Sequence, residues 1–74
     1  MSIIFTSVDQ KINYSIICKN TDTIIKLESE LYKKYPKLAE RKYYFICNGT
    51  MVNKFEKLEN LKIQSGDIIV LNEI

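Results

Sequence analysis

Along this 74-residue chain the spacing of apolar residues runs from a period of two, to one near 3.6, and back to two. In residues 3–8, Ile3, Phe5 and Ser7 fall on one side of an extended chain and Ile4, Thr6 and Val8 on the other, because successive side chains alternate across a strand. Residues 12–18 repeat the pattern more cleanly, with Ile12, Tyr14, Ile16 and Cys18 set against Asn13, Ser15, Ile17 and Lys19. The short polar link Asp9-Gln10-Lys11 between the two runs predicts a hairpin.

A helix is announced by Asn20-Thr21-Asp22-Thr23, whose side-chain oxygens can accept from the unpaired amides of a first turn, with Thr23 the predicted N-cap. Ile24, Leu27, Leu31 and Tyr35 then form one apolar stripe. Pro36 disfavours helical geometry at the residue before it, so the helix is expected to end near Tyr35. A helix of about 12 residues is marginal alone and must be held by packing its stripe on a sheet. After a basic connector over 37–42, Tyr43 to Cys47 reads as a strand and Asn48-Gly49 as a tight turn, with Met51-Val52 able to pair back briefly. Phe55, Leu58, Leu61 and Ile63 are irregularly spaced, which predicts a loop with a single inward-packed helical turn. Ser65-Gly66-Asp67 is a further turn signal before the apolar run Ile68-Ile69-Val70-Leu71.

The order strand, strand, helix, strand, strand predicts an α+β domain. It has a mixed sheet of four to five strands, the last parallel to the first, and one helix across one face. A ferredoxin-like plan needs a second full helix before the last strand, and residues 53–63 are too irregular to supply it. The length suits one domain, residues 1–74. Composition, 46% hydrophobic and 27% charged, is that of a folded globular domain, and no apolar stretch approaches the roughly 20 residues needed to cross a bilayer. No signal-peptide pattern opens the chain, so no membrane partner and a cytoplasmic or nuclear location are expected. Cys18 and Cys47 lie in apolar runs and are expected to be reduced core residues.

Three stretches carry a resemblance to a known family. Thr21-Asp22-Thr23-Ile24-Ile25-Lys26-Leu27, the Ile46-Cys47-Asn48-Gly49-Thr50-Met51-Val52 turn, and the run from Leu58-Glu59-Asn60-Leu61 through Ser65-Gly66-Asp67 resemble ubiquitin and ubiquitin-like domains. The likeness extends over nearly the whole chain and implies the β-grasp fold. It also implies a core of Ile3, Phe5, Tyr14, Ile16, Cys18, Ile24, Leu27, Leu31, Phe45, Val52, Leu58, Ile63, Ile69 and Leu71, the same inward set that strand parity predicts.

Enzymatic chemistry has little material here. The chain has no histidine, its acids are not paired at a joining spacing, and its two glycines, Gly49 and Gly66, are isolated. No catalytic residue, cofactor or metal ligand is expected. Modifiers of the ubiquitin family are conjugated through a C-terminal glycine pair, whereas this chain ends Val70-Leu71-Asn72-Glu73-Ile74 and is not conjugable as written. A domain excised from a longer protein, a non-conjugated ubiquitin-like protein, or a modifier truncated before its glycine tail are the corresponding readings.

Binding is the expected function. A sheet covered by one helix leaves its second face to water, where polar residues should dominate. Yet Ile68 and Val70 have the outward parity of the last strand, Ile46 that of its neighbour, and Val8 leaves the first strand close by. The resemblance places Val8, Ile46 and Val70 at the family's receptor-docking patch; Ile68 and the Gly49 turn are grouped with them, and Asn72 replaces an apolar member. A fully buried side chain of this size is worth roughly 1.5–3 kcal/mol before the costs of association. Ile4 marks a smaller second patch. Lys33, Lys34, Lys37, Arg41 and Lys42 make a basic run beside Tyr43 and Tyr44, open to RNA or an acidic partner, although cations at a helix C-terminus also serve stability and solubility. The expectation is a monomer that binds a protein of ubiquitin-receptor type or the proteasome, with nucleic acid disfavoured. The alternative is an adaptor that binds a small GTPase through an edge strand and the basic helix end.

Overall fold

The computed structural model describes all residues from Met1 to Ile74. Five strands, β1 (Ser2–Ser7), β2 (Asn13–Ile17), β3 (Tyr43–Cys47), β4 (Thr50–Met51) and β5 (Ile68–Glu73), form one sheet in the order β2-β1-β5-β3-β4. β1 and β5 run parallel at the centre, and the other pairings are antiparallel. Helix α1 (Ile24–Lys34) connects β2 to the second half of the sheet and packs across one face. This is the α+β, β-grasp architecture that the change of period predicts.

Local chemistry accounts for each boundary. Thr23 is extended and its Oγ1 accepts from the Lys26 amide at 3.3 Å, while Lys33 and Lys34 stand in the last turn where cations oppose the helix dipole. Asn48 and Gly49 both have positive φ, 54° and 77°, the signature of a two-residue turn whose twist matches the flanking strands. In residues 57–63 one helical turn closes as a Schellman motif: Lys62 is left-handed at φ 58°, its amide donates to Glu59, and the Ile63 amide reaches back to Leu58. The expected inward turn is therefore present, with Leu58 and Ile63 buried and Phe55 left exposed.

One core joins sheet and helix. Ile3, Phe5, Ile16, Ile24, Leu27, Leu31, Phe45, Leu58, Ile69 and Leu71 are buried together, and Phe5 meets Phe45 edge to face at 5.8 Å. Cys18 and Cys47 are buried, unbridged members. Two expected core residues are only half-buried. Tyr14 sits on the edge strand β2, where its ring leans on Tyr35 at 6.0 Å, and Val52 lies just beyond the short strand β4. The connector after α1 also differs from expectation. Pro36–Glu40 forms a 3-10 turn that drives Leu38 into the core, a position that a basic-looking stretch does not advertise.

Candidate functional site

Strand register sets the open face. In β5 the residues opposite in parity to buried Ile69 and Leu71 are Ile68, Val70 and Asn72; in β3 they are Tyr44 and Ile46. Val70 is the direct antiparallel partner of Ile46, and Ile46 is in turn the partner of Met51 in β4. On its other side Val70 pairs with Thr6 of β1. Met51, Ile46, Val70 and Thr6 thus form one row across four strands, and directly opposed side chains in such a row have Cβ atoms about 4.5–5.5 Å apart. Ile68 and Ile4, partners across β5 and β1, make the adjoining row.

Four of these side chains, Ile4, Thr6, Ile46 and Val70, are half-buried by their neighbours alone, while Ile68 is 52% and Met51 65% exposed. An apolar band two rows deep therefore faces solvent on the side away from α1. Ile17, 88% exposed on the outer side of β2, extends it toward the sheet edge. Asn72, whose side-chain amide donates to the Val70 carbonyl at 3.2 Å, and Tyr44 opposite it close one end with polar atoms. Gly49 lies in the turn joining β3 to β4 with open space where a Cβ would project.

The expected residues are not all brought together. Ile46, Val70, Ile68 and Ile4 share the band. Val8 lies one residue beyond β1 in the hairpin turn, 69% exposed, and lines a cleft with Leu71 and Tyr43 at the end of the sheet. Met51 is the member that sequence reasoning missed. The Asn48-Gly49 turn held the signal, since a two-residue loop pairing Cys47 with Thr50 forces Ile46 opposite Met51.

The basic run spreads over three elements: Lys33 and Lys34 on α1, Lys37 in the 3-10 turn, and Arg41 and Lys42 before β3. Arg41 is already engaged, its Nη1 donating to Glu73 Oε1 at 2.6 Å, and that carboxylate pushes the guanidinium pKa up. Elsewhere burial pushes the thiols of Cys18 and Cys47 above their ordinary range. No three His, Cys, Asp or Glu side chains converge as metal ligands would. No helix is long and apolar enough to cross a membrane.

The chain matches no model of a known protein family, and no curated protein matches its sequence. The class that the fold defines is the β-grasp domain.

Proposed function

We propose that this chain is a ubiquitin-like interaction module without catalytic activity of its own, which docks proteins of the ubiquitin-receptor type, receptors of the proteasome included, on the open face of its sheet. The observation that carries this reading is the direct pairing of Ile46 with Val70 on the face away from α1, continued by Met51, Ile68 and Ile4. A contiguous apolar band differs from the scattered apolar residues of ordinary surfaces, and flat bands of this kind mark protein contacts. The test is a titration of ¹⁵N-labelled protein with a ubiquitin-receptor domain. Saturable shifts at Ile46, Met51, Ile68 and Val70 are expected, and their absence at saturating receptor rejects the reading.

A second reading is a β-grasp adaptor for a small GTPase or similar partner, and it too has a specific observation behind it. The Met1 and Cys18 main chains exchange hydrogen bonds at 2.8 and 3.0 Å, and the Ser7 amide donates to Ile12. By the alternation of an antiparallel ladder, Asn13, Ser15 and Ile17 then direct their amides and carbonyls away from β1, toward the open edge of the sheet. Shifts confined to β2 and the end of α1 in a titration with such a partner would favour it.

A further inference from the structure

We infer that the end of the domain beneath the β1–β2 loop is a second, independent docking groove, and that its occupant is an acidic protein segment carrying apolar anchor residues. A cleft of about 410 Å³ lies there between the hairpin loop, the 3-10 turn and the C-terminal half of β5, lined by exposed Val8 and buried Leu38 and Leu71. A second hollow of about 370 Å³ adjoins it between the hairpin and the end of α1. The two share Ile12 and Leu38 as lining residues and so lie side by side, two neighbouring apolar lobes that a bound segment would span. The groove opens to solvent along its length, which suits a segment of chain laid across it rather than an enclosed small molecule. The edge-to-face pair Tyr14 and Tyr35 bridges β2 and the residue after α1 with ring centroids 6.0 Å apart, and Tyr35 forms one wall of the second hollow.

Charge selects the occupant. The carboxylates on the groove wall are Asp9, which keeps its charge, and Glu73, which Arg41 neutralises, so the groove's three lysines outnumber the one free negative charge. Asp9 accepts from the Ser7 hydroxyl at 2.6 Å and the Lys11 amide at 3.1 Å, and Glu73 accepts from Arg41. Lys11, Lys34 and Lys37 line the same groove without an ion-pair partner within 4 Å. Apolar lobes flanked by free ammonium groups complement a segment that supplies carboxylates beside its apolar anchors, and disfavour a basic or neutral one. A two-fold dimer through this end is disfavoured, because it would set the cationic groups against themselves.

The probe is a short synthetic peptide with two leucines set among aspartates, compared with one in which alanine replaces leucine and one in which serine replaces aspartate. Saturable shifts at Val8, Lys11, Ile12 and Leu38 are expected with the parent peptide and loss of binding with each control. Lys34→Gln with Lys37→Gln, both exposed changes that leave the core intact, is expected to weaken binding on the order of fivefold. Val8→Ser is expected to weaken it similarly, and Ile46→Ala to leave it unchanged, so this groove and the sheet-face site fail or stand separately. Equal binding of the leucine-free peptide or of a single-stranded oligonucleotide would reduce the site to a nonspecific polyanion contact and overturn the inference. Shifts at Ile46 and Val70 in place of Val8 and Leu38, or none at all, would also overturn it.

Discussion

Lys54 and Glu28, 26 residues apart in sequence, meet where the loop after β4 crosses α1, with Nζ 3.3 Å from Oε1 and the carboxylate side chain only 9% exposed. Glu28 also accepts from the Tyr32 hydroxyl at 3.1 Å, so a nearly buried charge is satisfied by one cation and one phenol. The Ile25 amide donates to the Lys54 carbonyl at 2.9 Å and fixes the same crossing through the main chain.

Removing only the cation leaves that carboxylate short of a donor. Lys54→Met is expected to cost about 1–2 kcal/mol, less than for a fully buried pair because a third of the Lys54 side chain meets water. Adding Glu28→Leu removes the stranded charge, and the double variant is expected to regain part of the loss. Urea unfolding of Lys54→Met, Glu28→Leu and the double variant checks this. If the double variant loses the sum of the two single effects, the pair is not coupled.

Tyr32 gives the alkaline counterpart. Burial, reinforced by the negative charge of Glu28, pushes its phenol pKa far above the ordinary 10.0. The folded state therefore keeps a proton that the unfolded chain releases, and the slope of stability against pH is negative above the unfolded value. The contribution is fully present below about pH 10 and is lost as pH rises beyond it. Tyr32→Phe is expected to flatten the decline above pH 10 in unfolding midpoints while leaving those near neutrality little changed in slope.

Phe45 and Ile46 are neighbours in β3 on opposite faces, which separates folding from binding at one place in the chain. Phe45 is 1% exposed in the core, and Phe45→Ala is expected to cost about 3–5 kcal/mol. Ile46 is half-buried on the open face, so Ile46→Ala is expected to cost about 1 kcal/mol or less in stability. The same change should weaken binding of a ubiquitin-receptor domain roughly tenfold. Calorimetric unfolding and receptor titration of the two variants read the two effects independently. Equal receptor affinity for wild type and Ile46→Ala would remove the sheet face from the binding reaction.

Periodic features were legible in the sequence because each residue repeats information held by its neighbours. Alternation put Ile3, Phe5 and Ile16 inside, and the spacing of Ile24, Leu27 and Leu31 oriented α1. The outward parity of Ile46, Ile68 and Val70 followed from the same rule. Isolated contacts carry no such redundancy. Leu38 is the one large apolar residue of the basic connector, buried where Pro36 opens a 3-10 turn. Glu28 and Lys54 have no pattern linking them, since chain reversal alone brings them together. Tyr14 and Val52 have inward parity but sit at the ends of the sheet, where too little structure surrounds them to exclude water. Val8 shows the complementary limit, because parity no longer governs a side chain once the strand has ended at Ser7.

Acid stability turns on two loop carboxylates held by hydrogen bonds, Asp9 in the open and Asp22 with 13% of its side chain exposed. The Ser7 hydroxyl and Lys11 amide on Asp9, and the Lys19 amide and Lys26 ammonium on Asp22, lower both pKa values below the ordinary 3.8. Ionised Asp9 holds the β1–β2 loop, and ionised Asp22 holds the entry to α1, whose Asp22 carbonyl also accepts from the Leu58 amide at 2.9 Å. Because these groups lose protons more readily in the folded state, their contribution is present above the unfolded pKa and is lost as pH falls through the depressed folded values. Side-chain carboxyl titrations by NMR should give midpoints below 3.8 at both residues. Asp22→Asn is expected to flatten the fall in stability below about pH 4, and Asp9→Asn to do so while loosening the hairpin loop, seen as faster amide exchange at Lys11. Midpoints at or above 3.8 would mean that these hydrogen bonds do not persist in solution.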